Sequence, residues 1–244
     1  MGCCNVYENH NMRELMGETL RPGGFKLTEK SMDFCKFTAK DKILDLGCGT
    51  GATVGYLKDK YEIYATGLDP SENFLEIARK KYGYAAFIKG KGEMLPFDRE
   101  SFDGVLAECT LSLMEDLEAT INEVSRVLKT GGWFVIHDVY AKNPVFIEKL
   151  KENSFNSCMR GLHDLTFLRK ELVSKGFQII GFEDCSYFLK ELFVKIIFSY
   201  GSMGIFWRRT TNHCIDGDHF QDSLKKCKPG YFWMACRKGG RDDE

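Results

Sequence analysis

The run Ile43-Leu44-Asp45-Leu46-Gly47-Cys48-Gly49-Thr50-Gly51-Ala52 constrains this chain more than any other stretch. An apolar strand stops at an Asp, and three glycines then alternate with other residues. A helix-like segment, Thr53 to Lys58, follows at once. A strand, a glycine turn and a helix in that order let a ligand lie directly on backbone, because glycine permits positive φ and close approach. The next apolar run, Ile63 to Leu68, ends at Asp69, whose carboxylate suits ribose hydroxyls. The expected ligand is a nucleoside-type cofactor.

Two cofactor classes compete for the glycines. Gly47 to Ala52 fits the loose G-x-G-x-x-G/A dinucleotide fingerprint, with Asp69 near the acidic position. The same residues also read D-x-G-x-G-x-G, starting from Asp45. An acid there repels a pyrophosphate and attracts an ammonium group. At this point the chain resembles the class I S-adenosylmethionine (SAM) methyltransferases, and further matches follow in that family's order. Gly90 to Phe97 looks like the adenine-side loop, Ser101 to Leu106 like strand four, and Arg126 to Gly132 like the turn into strand five. The resemblance covers residues 43 to 138.

That resemblance implies an α/β fold: a Rossmann-like, doubly wound, mostly parallel seven-stranded sheet with an antiparallel final strand. It implies S-adenosyl-L-methionine as cofactor. Gly47, Gly49 and Gly51 would lie against its methionine half, Asp45 would face its ammonium, and Asp69, followed by Pro70, would hold the ribose. Gly92, Glu93 and Met94 would wall the adenine, and Glu108 would close the cofactor site at the end of strand four. Relatives usually carry an Asp that accepts from the adenine amino group where this chain has Lys91, a donor only.

Periodicity places strands at 42–46, 62–68, 85–88, 103–108, 132–138, 177–183 and 231–237. Helices are expected near 51–59, 71–81, 117–128 and 164–175. In the third, Leu117, Ile121, Val124 and Leu128 form one stripe. Residues 9–36 read as helical, broken at Arg21-Pro22-Gly23-Gly24. Alternation of strand and helix specifies a parallel sheet covered on both faces. The expected organisation is an N-terminal helical segment (1–40), a cofactor-binding core (41–185), an apolar helical insertion (186–229), and a final strand with a charged tail (230–244).

Composition narrows the partners. With 34 basic against 35 acidic residues the net charge is −1, which does not fit a general nucleic-acid binder. The N-terminus lacks an apolar signal-peptide core, so a cytoplasmic protein is expected. The apolar stretch 188–207 is interrupted by Lys190, Glu191 and Lys195, so no membrane span is expected. It reads as a lid or as a homodimer face. The ten cysteines include no C-x-x-C, which excludes a zinc ribbon. They read as buried small hydrophobes or as a thiol-rich site for a soft ligand. His213 to His219 carries metal-capable side chains in a turn-like composition, and no metal site is expected.

Methyl transfer from a sulfonium is a direct displacement, so the protein mainly aligns the reactants and excludes water. The acceptor should be a small molecule beyond the C-terminal ends of strands four and five, near Glu108, Cys109, Asp138 and Tyr140. Here the chain also resembles arsenite methyltransferases, through Ala107 to Leu113 with Cys109, His137 to Ala141, and Ser157 to Leu162 with Cys158. The resemblance implies two thiols holding trivalent arsenic, which is thiophilic. A third thiol would come from Cys3, Cys4 or Cys35. Leu95-Pro96-Phe97 is similar to quinone C-methyltransferases, so small-molecule O-, N- or C-methylation stays open, as does a non-enzymatic SAM-binding role. His163 would serve as a general base for a hydroxyl acceptor. Tyr7 and His10 would close over the cofactor.

Overall fold

The structure, a computed structural model, describes residues 4–240. The strands in chain order are β1 (Cys4–Asn5), β2 (Ile43–Leu46), β3 (Thr66–Asp69), β4 (Phe87–Lys89), β5 (Phe102–Glu108), β6 (Leu128–Ala141), β7 (Phe155–Asn156), β8 (Phe177–Asp184) and β9 (Pro229–Lys238). The helices are α1 (His10–Met16), α2 (Lys26–Cys35), α3 (Ala52–Tyr61), α4 (Glu72–Lys81), α5 (Leu117–Val127), α6 (Ile147–Lys151), α7 (Leu165–Ser174), α8 (Ser186–Tyr200), α9 (Met203–Thr210) and α10 (Gly217–Cys227).

Seven strands form one sheet in the order β4-β3-β2-β5-β6-β9-β8. The first five pair in parallel, and β9 runs antiparallel between β6 and β8. Alternate strand residues feed opposite faces, as the pleat requires. Ile43, Leu106 and Val135 join a core with Leu57 and Leu75 of α3 and α4. Leu44, Leu46, Val105 and Ile136 join a second core with Ile121, Val124, Leu168 and Leu172 of α5 and α7. The expected doubly wound sheet is the observed one.

Several boundaries differ from the sequence reading, each for a local reason. The second strand starts at Thr66, not residue 62, because α3 ends there. Glu62 takes a left-handed C-cap conformation, and its N–H bonds back to the carbonyls of Leu57 and Lys58. The fifth strand runs from Leu128, so Leu128 leaves the helical stripe. Gly131, at φ +76°, absorbs the register shift that this extension needs against β5. Helix α2 ends at Cys35, where Lys36 takes a left-handed C-cap conformation.

The segment 186–229 folds as α8, α9 and α10. Trp207 of α9 packs its ring against Phe220 of α10 and against Phe155 of β7, at centroid distances of 5.0 and 6.2 Å. Its indole N–H donates to Gln221 at 2.8 Å. No helix among the described residues is long and apolar enough to cross a membrane.

Trp207→Ala should cost about 3–5 kcal/mol, through lost burial and the cavity left behind. Because Trp207 ties α9 and α10 to β7, urea unfolding should show one transition moved to lower midpoint. A separate early phase would mean that the helical segment unfolds on its own.

Candidate functional site

Strand order reverses direction between β2 and β5, and ligands of open α/β sheets bind outside the carboxyl ends of strands at such a point. A cavity of about 330 Å³ lies there. Its wall includes Asp45, Gly47 and Gly49 after β2, Asp69 and Pro70 after β3, Gly90 to Glu93 after β4, and Glu108 to Thr110 after β5. The N-terminal segment adds Asn5, Tyr7 and Glu18 to Arg21. The volume falls within the range of small-molecule sites.

The glycine turn has the conformation its residues dictate. Gly47, Gly49 and Gly51 have φ of +76°, +52° and +80°. At Gly47 a Cβ would approach Thr110 Oγ1 to 2.0 Å, so only glycine fits. At Gly49 a Cβ would meet nothing within 4 Å, so its bare backbone borders open cavity. Gly49 N–H donates to Asp69 Oδ2 at 2.9 Å, and Ser71 N–H donates to Oδ1 at 2.8 Å. A carboxylate has about four acceptor positions. Asp69 therefore keeps capacity on both oxygens for two further donors from the cavity. Burial raises its pKa, and those two backbone bonds oppose the rise.

Two buried polar atoms in this wall lack a partner: Asp45 Oδ2 and Arg21 Nε. An orphaned buried group costs about 1–3 kcal/mol. One is an acceptor on an acid and the other a donor on a base. A bound zwitterion, with an ammonium toward Asp45 and a carboxylate toward Arg21, would satisfy both. Burial, followed by the charge of Glu108, raises the Asp45 pKa, and Arg21 opposes this.

Glu108 differs from the sequence reading. It lines the cavity, yet both its oxygens are taken by protein. Oε2 lies 2.8 Å from Arg21 Nη2 and accepts from Thr53 Oγ1 at 2.8 Å. Oε1 accepts from Thr28 Oγ1 at 2.7 Å and lies 3.2 Å from His137 Nδ1. With three of its acceptor positions taken by Arg21, Thr53 and Thr28, Glu108 anchors the N-terminal segment from within the cavity wall. Arg21, His137 and the hydroxyls overcome burial and hold its pKa at about 2. Burial keeps His137 neutral. The neighbouring carboxylate favours its Nδ1–H tautomer, with Nε2 facing Ser31 Oγ at 2.8 Å.

The two cysteines singled out in the sequence converge. Cys109 follows β5 with φ of +62°, uncommon for a non-glycine residue, and its N–H bonds His137 O at 2.6 Å. The neighbouring Cys158 thiol, and then burial, push the Cys109 thiol well above the usual range. Cys158 N–H donates to the Tyr7 hydroxyl at 3.0 Å. Burial, then Cys158 and Cys109, push Tyr7 up as well. Tyr231 stands behind, fully buried, with its hydroxyl unpartnered. Cys109 and Tyr7 line the cavity, and Cys158 supports them from outside it. Cys35 belongs elsewhere, buried beside Cys236 and Arg237. Cys3 lies outside the described residues.

Three further expectations are corrected. His163 is off the cavity wall, buried and 3.4 Å from Asp138 Oδ2, so it is not poised as a base over an acceptor. Asp138 is itself taken up by Ser112 and by its neighbour's backbone. Met94 is 79% exposed, turned outward by the tight Lys91–Met94 bridge. Met114 takes the wall position instead, with Sδ 2.9 Å from where a Gly92 Cβ would be. Glu93 lines the cavity, but its Oε1 accepts from the N–H groups of Glu115 and Asp116. Exposed His10 lies near Glu14, away from the cavity. Asp216 caps α10 by accepting from Asp218 and His219, and no metal-binding cluster occurs among the described residues. Sequence reasoning missed Arg21, Met114 and Asn156. Arg21 sits in a Pro-Gly break with no motif around it, and Asn156 reaches the cavity only through the pairing of β1 with β7.

Comparison with known proteins gives a consistent result. The family described as "Methyltransferase domain" matches residues 44–136. The uncharacterized methyltransferase YodH of Bacillus subtilis is 32% identical over 162 residues, spanning 64% of this chain and 68% of that protein. The O-methyltransferase rstn1 of Aspergillus nomiae is 28% identical over 177 residues, spanning 68% and 77%. The demethylmenaquinone methyltransferase of Chlorobaculum tepidum is 39% identical over 105 residues, 43% of each chain. Among solved structures, phosphoethanolamine N-methyltransferase 2 of Haemonchus contortus in complex with S-adenosyl-L-methionine superposes with a TM-score of 0.73. It is 18% identical, over 94% of this chain and 56% of that one. At that identity the likeness is one of fold.

Breaking the buried pair should cost about 3–5 kcal/mol, because one charge is left uncompensated. Arg21→Met should therefore lower the melting temperature sharply. The pH dependence carries a sign. Glu108 has its pKa lowered from 4.5 to about 2, so its contribution is complete above pH 4.5 and is lost as pH falls toward 2. Glu108→Gln should flatten that acid limb in thermal scans between those pH values.

Proposed function

The chain belongs to the class I S-adenosylmethionine-dependent methyltransferases, and from that premise we propose that it methylates a small, soft acceptor bound against Cys109 and Cys158. The observation that carries this reading is the meeting of two buried cysteines at the β5 end, Cys109 on the cavity wall and Cys158 behind it. When bound, the cofactor supplies an electrophilic methyl carbon on a sulfonium. Asp45 and Arg21 would take its ammonium and carboxylate. Gly47, Gly49 and Gly51 would form the floor under its methionine half, and Asp69, with Pro70 beside it, would take the ribose hydroxyls. So held, its methyl would face past Glu108 toward Cys109.

Trivalent arsenic fits the thiols chemically. Each thiol replaces one hydroxyl of arsenous acid, and the thiol proton leaves with that hydroxyl as water. No protein base is consumed, in keeping with His163 and Glu108 both being engaged elsewhere. The arsenic lone pair would then take the methyl that the bound cofactor supplies, with the positive charge passing from sulfur to arsenic. Tyr7 and Tyr231 keep the surroundings neutral and dry, which favours a soft lone pair over a hydrated anion. A hydroxyl, amine or quinol-type carbon is the alternative acceptor class, and the names of the relatives support it. Exposed Val194, Ile197 and Phe198 on α8 suit a homodimer face. Among the described residues, none of 186–229 lines the cavity, which favours an interface over a lid.

S-adenosylhomocysteine at 100 times its Kd should stabilise the fold by about 2.7 kcal/mol, read as a raised melting temperature, with no effect from NAD. Asp69→Ala should weaken that binding at least about tenfold, the worth of a hydrogen bond to a charged group. Label from methyl-labelled SAM should move to arsenite in a panel that also holds quinols, catechols, amines and thiols. Stoichiometric arsenite binding should be lost in both Cys109→Ser and Cys158→Ser. If both variants bind arsenite like the parent, or label goes only to another panel member, the arsenic reading is wrong and the small-molecule reading stands. Sedimentation should show a dimer that Phe198→Glu dissociates.

A further inference from the structure

At the β4 end of the cavity the chain has built an acceptor from an unexpected direction. Lys91 and Glu115 both line the wall there, and Lys91 Nζ holds Glu115 Oε2 at 3.1 Å. The backbone of Glu115 is fixed separately, by its N–H donating to Glu93 Oε1 at 2.8 Å. The Gly90 loop is tied to β3 through Gly90 N–H to Asp69 O at 3.2 Å. Met114, packed against Gly92, provides an apolar shelf between the two. Oε1 of Glu115 makes no hydrogen bond among the described residues. An exposed ion pair contributes little to stability, so folding gives no strong reason for this one. Its position on the wall of a nucleoside-sized cavity gives a reason in binding.

A 6-aminopurine presents an amino donor beside a ring-nitrogen acceptor, and a 6-oxopurine presents the reverse. Lysine can only donate, and a carboxylate can only accept. We propose that Glu115, held in place by Lys91, accepts the 6-amino group of the cofactor's base and is the residue that sets base specificity in this chain. Lys91 acts as its positioning residue. The inference rests on the SAM reading above and concerns only which residues read the base.

The test is equilibrium binding, by calorimetry, of S-adenosyl-L-homocysteine and its 6-oxo analogue S-inosyl-L-homocysteine. The parent should prefer the adenosyl form. Glu115→Ala should lose roughly tenfold in affinity for it, one hydrogen bond to a charged group, with little change for the inosyl form. Glu115 is exposed, so the ligand-free melting temperature should not move, which separates a binding loss from a folding loss. Adding Lys91→Asp to Glu115→Ala supplies a carboxylate from the other side of the site and should recover most of the preference. If the parent binds S-adenosylhomocysteine and Glu115→Ala binds it equally well, this inference is overturned alone. A parent that binds neither compound overturns the cofactor reading and this inference together.

Discussion

The buried pair of Arg21 and Glu108 is the interaction on which the rest of the arrangement depends. Glu108 ends β5, beside the point where the sheet reverses, and Arg21 arrives from a segment with no strand of its own in that sheet. Thr28 and Thr53 each accept from Arg21 and donate to Glu108, so the two hydroxyls join α2 and α3 to one carboxylate. A buried charge without such a set of partners would be expelled or neutralised. The network continues through His137 and Ser31 to the indole N–H of Trp233 on β9. One side chain thus couples the N-terminal segment, the glycine-turn helix and the antiparallel strand.

What the sequence made legible follows the range of the forces involved. The glycine turn, the strand-ending Asp45 and Asp69, and the alternation of strands with amphipathic helices are local patterns, and the fold reads directly from them. Met94 misled because a four-residue bridge turned it outward, and the residue that replaced it, Met114, lies twenty positions later on a different loop. The surroundings of Glu108 were hidden for another reason. A carboxylate at a strand end signals a ligand, but its partners Arg21, Thr28 and Thr53 come from segments that the periodicity does not bring together. The meeting of Cys109 with Cys158 was suggested by resemblance alone, since nothing in their spacing of 49 residues specifies contact.

The two ends of the cavity differ in character. At the β4 side, charged and exposed groups can exchange partners with water. At the β5 side, Cys109, Tyr7 and Tyr231 are buried beside Cys158, and burial favours the neutral form of those three. Cys109 is kept at a left-handed φ while its amide holds His137 O. The strand geometry of β6 therefore sets where that thiol points.

The short pairing of β1 with β7 also orders events in time. Cys4 and Asn5 lie alongside Phe155 and Asn156, and the Tyr7 hydroxyl bonds an amide 151 residues away in the chain. A contact of that span closes a very long loop, and its entropy must be met before the contact gives anything back. Residues 4–7 are therefore among the last to find their place, although they precede the sheet in the chain. Until residues 155–158 have been made and docked on the sheet, the β5 end of the cavity has no cover, and a nascent chain can hold a folded sheet while that end still stands open.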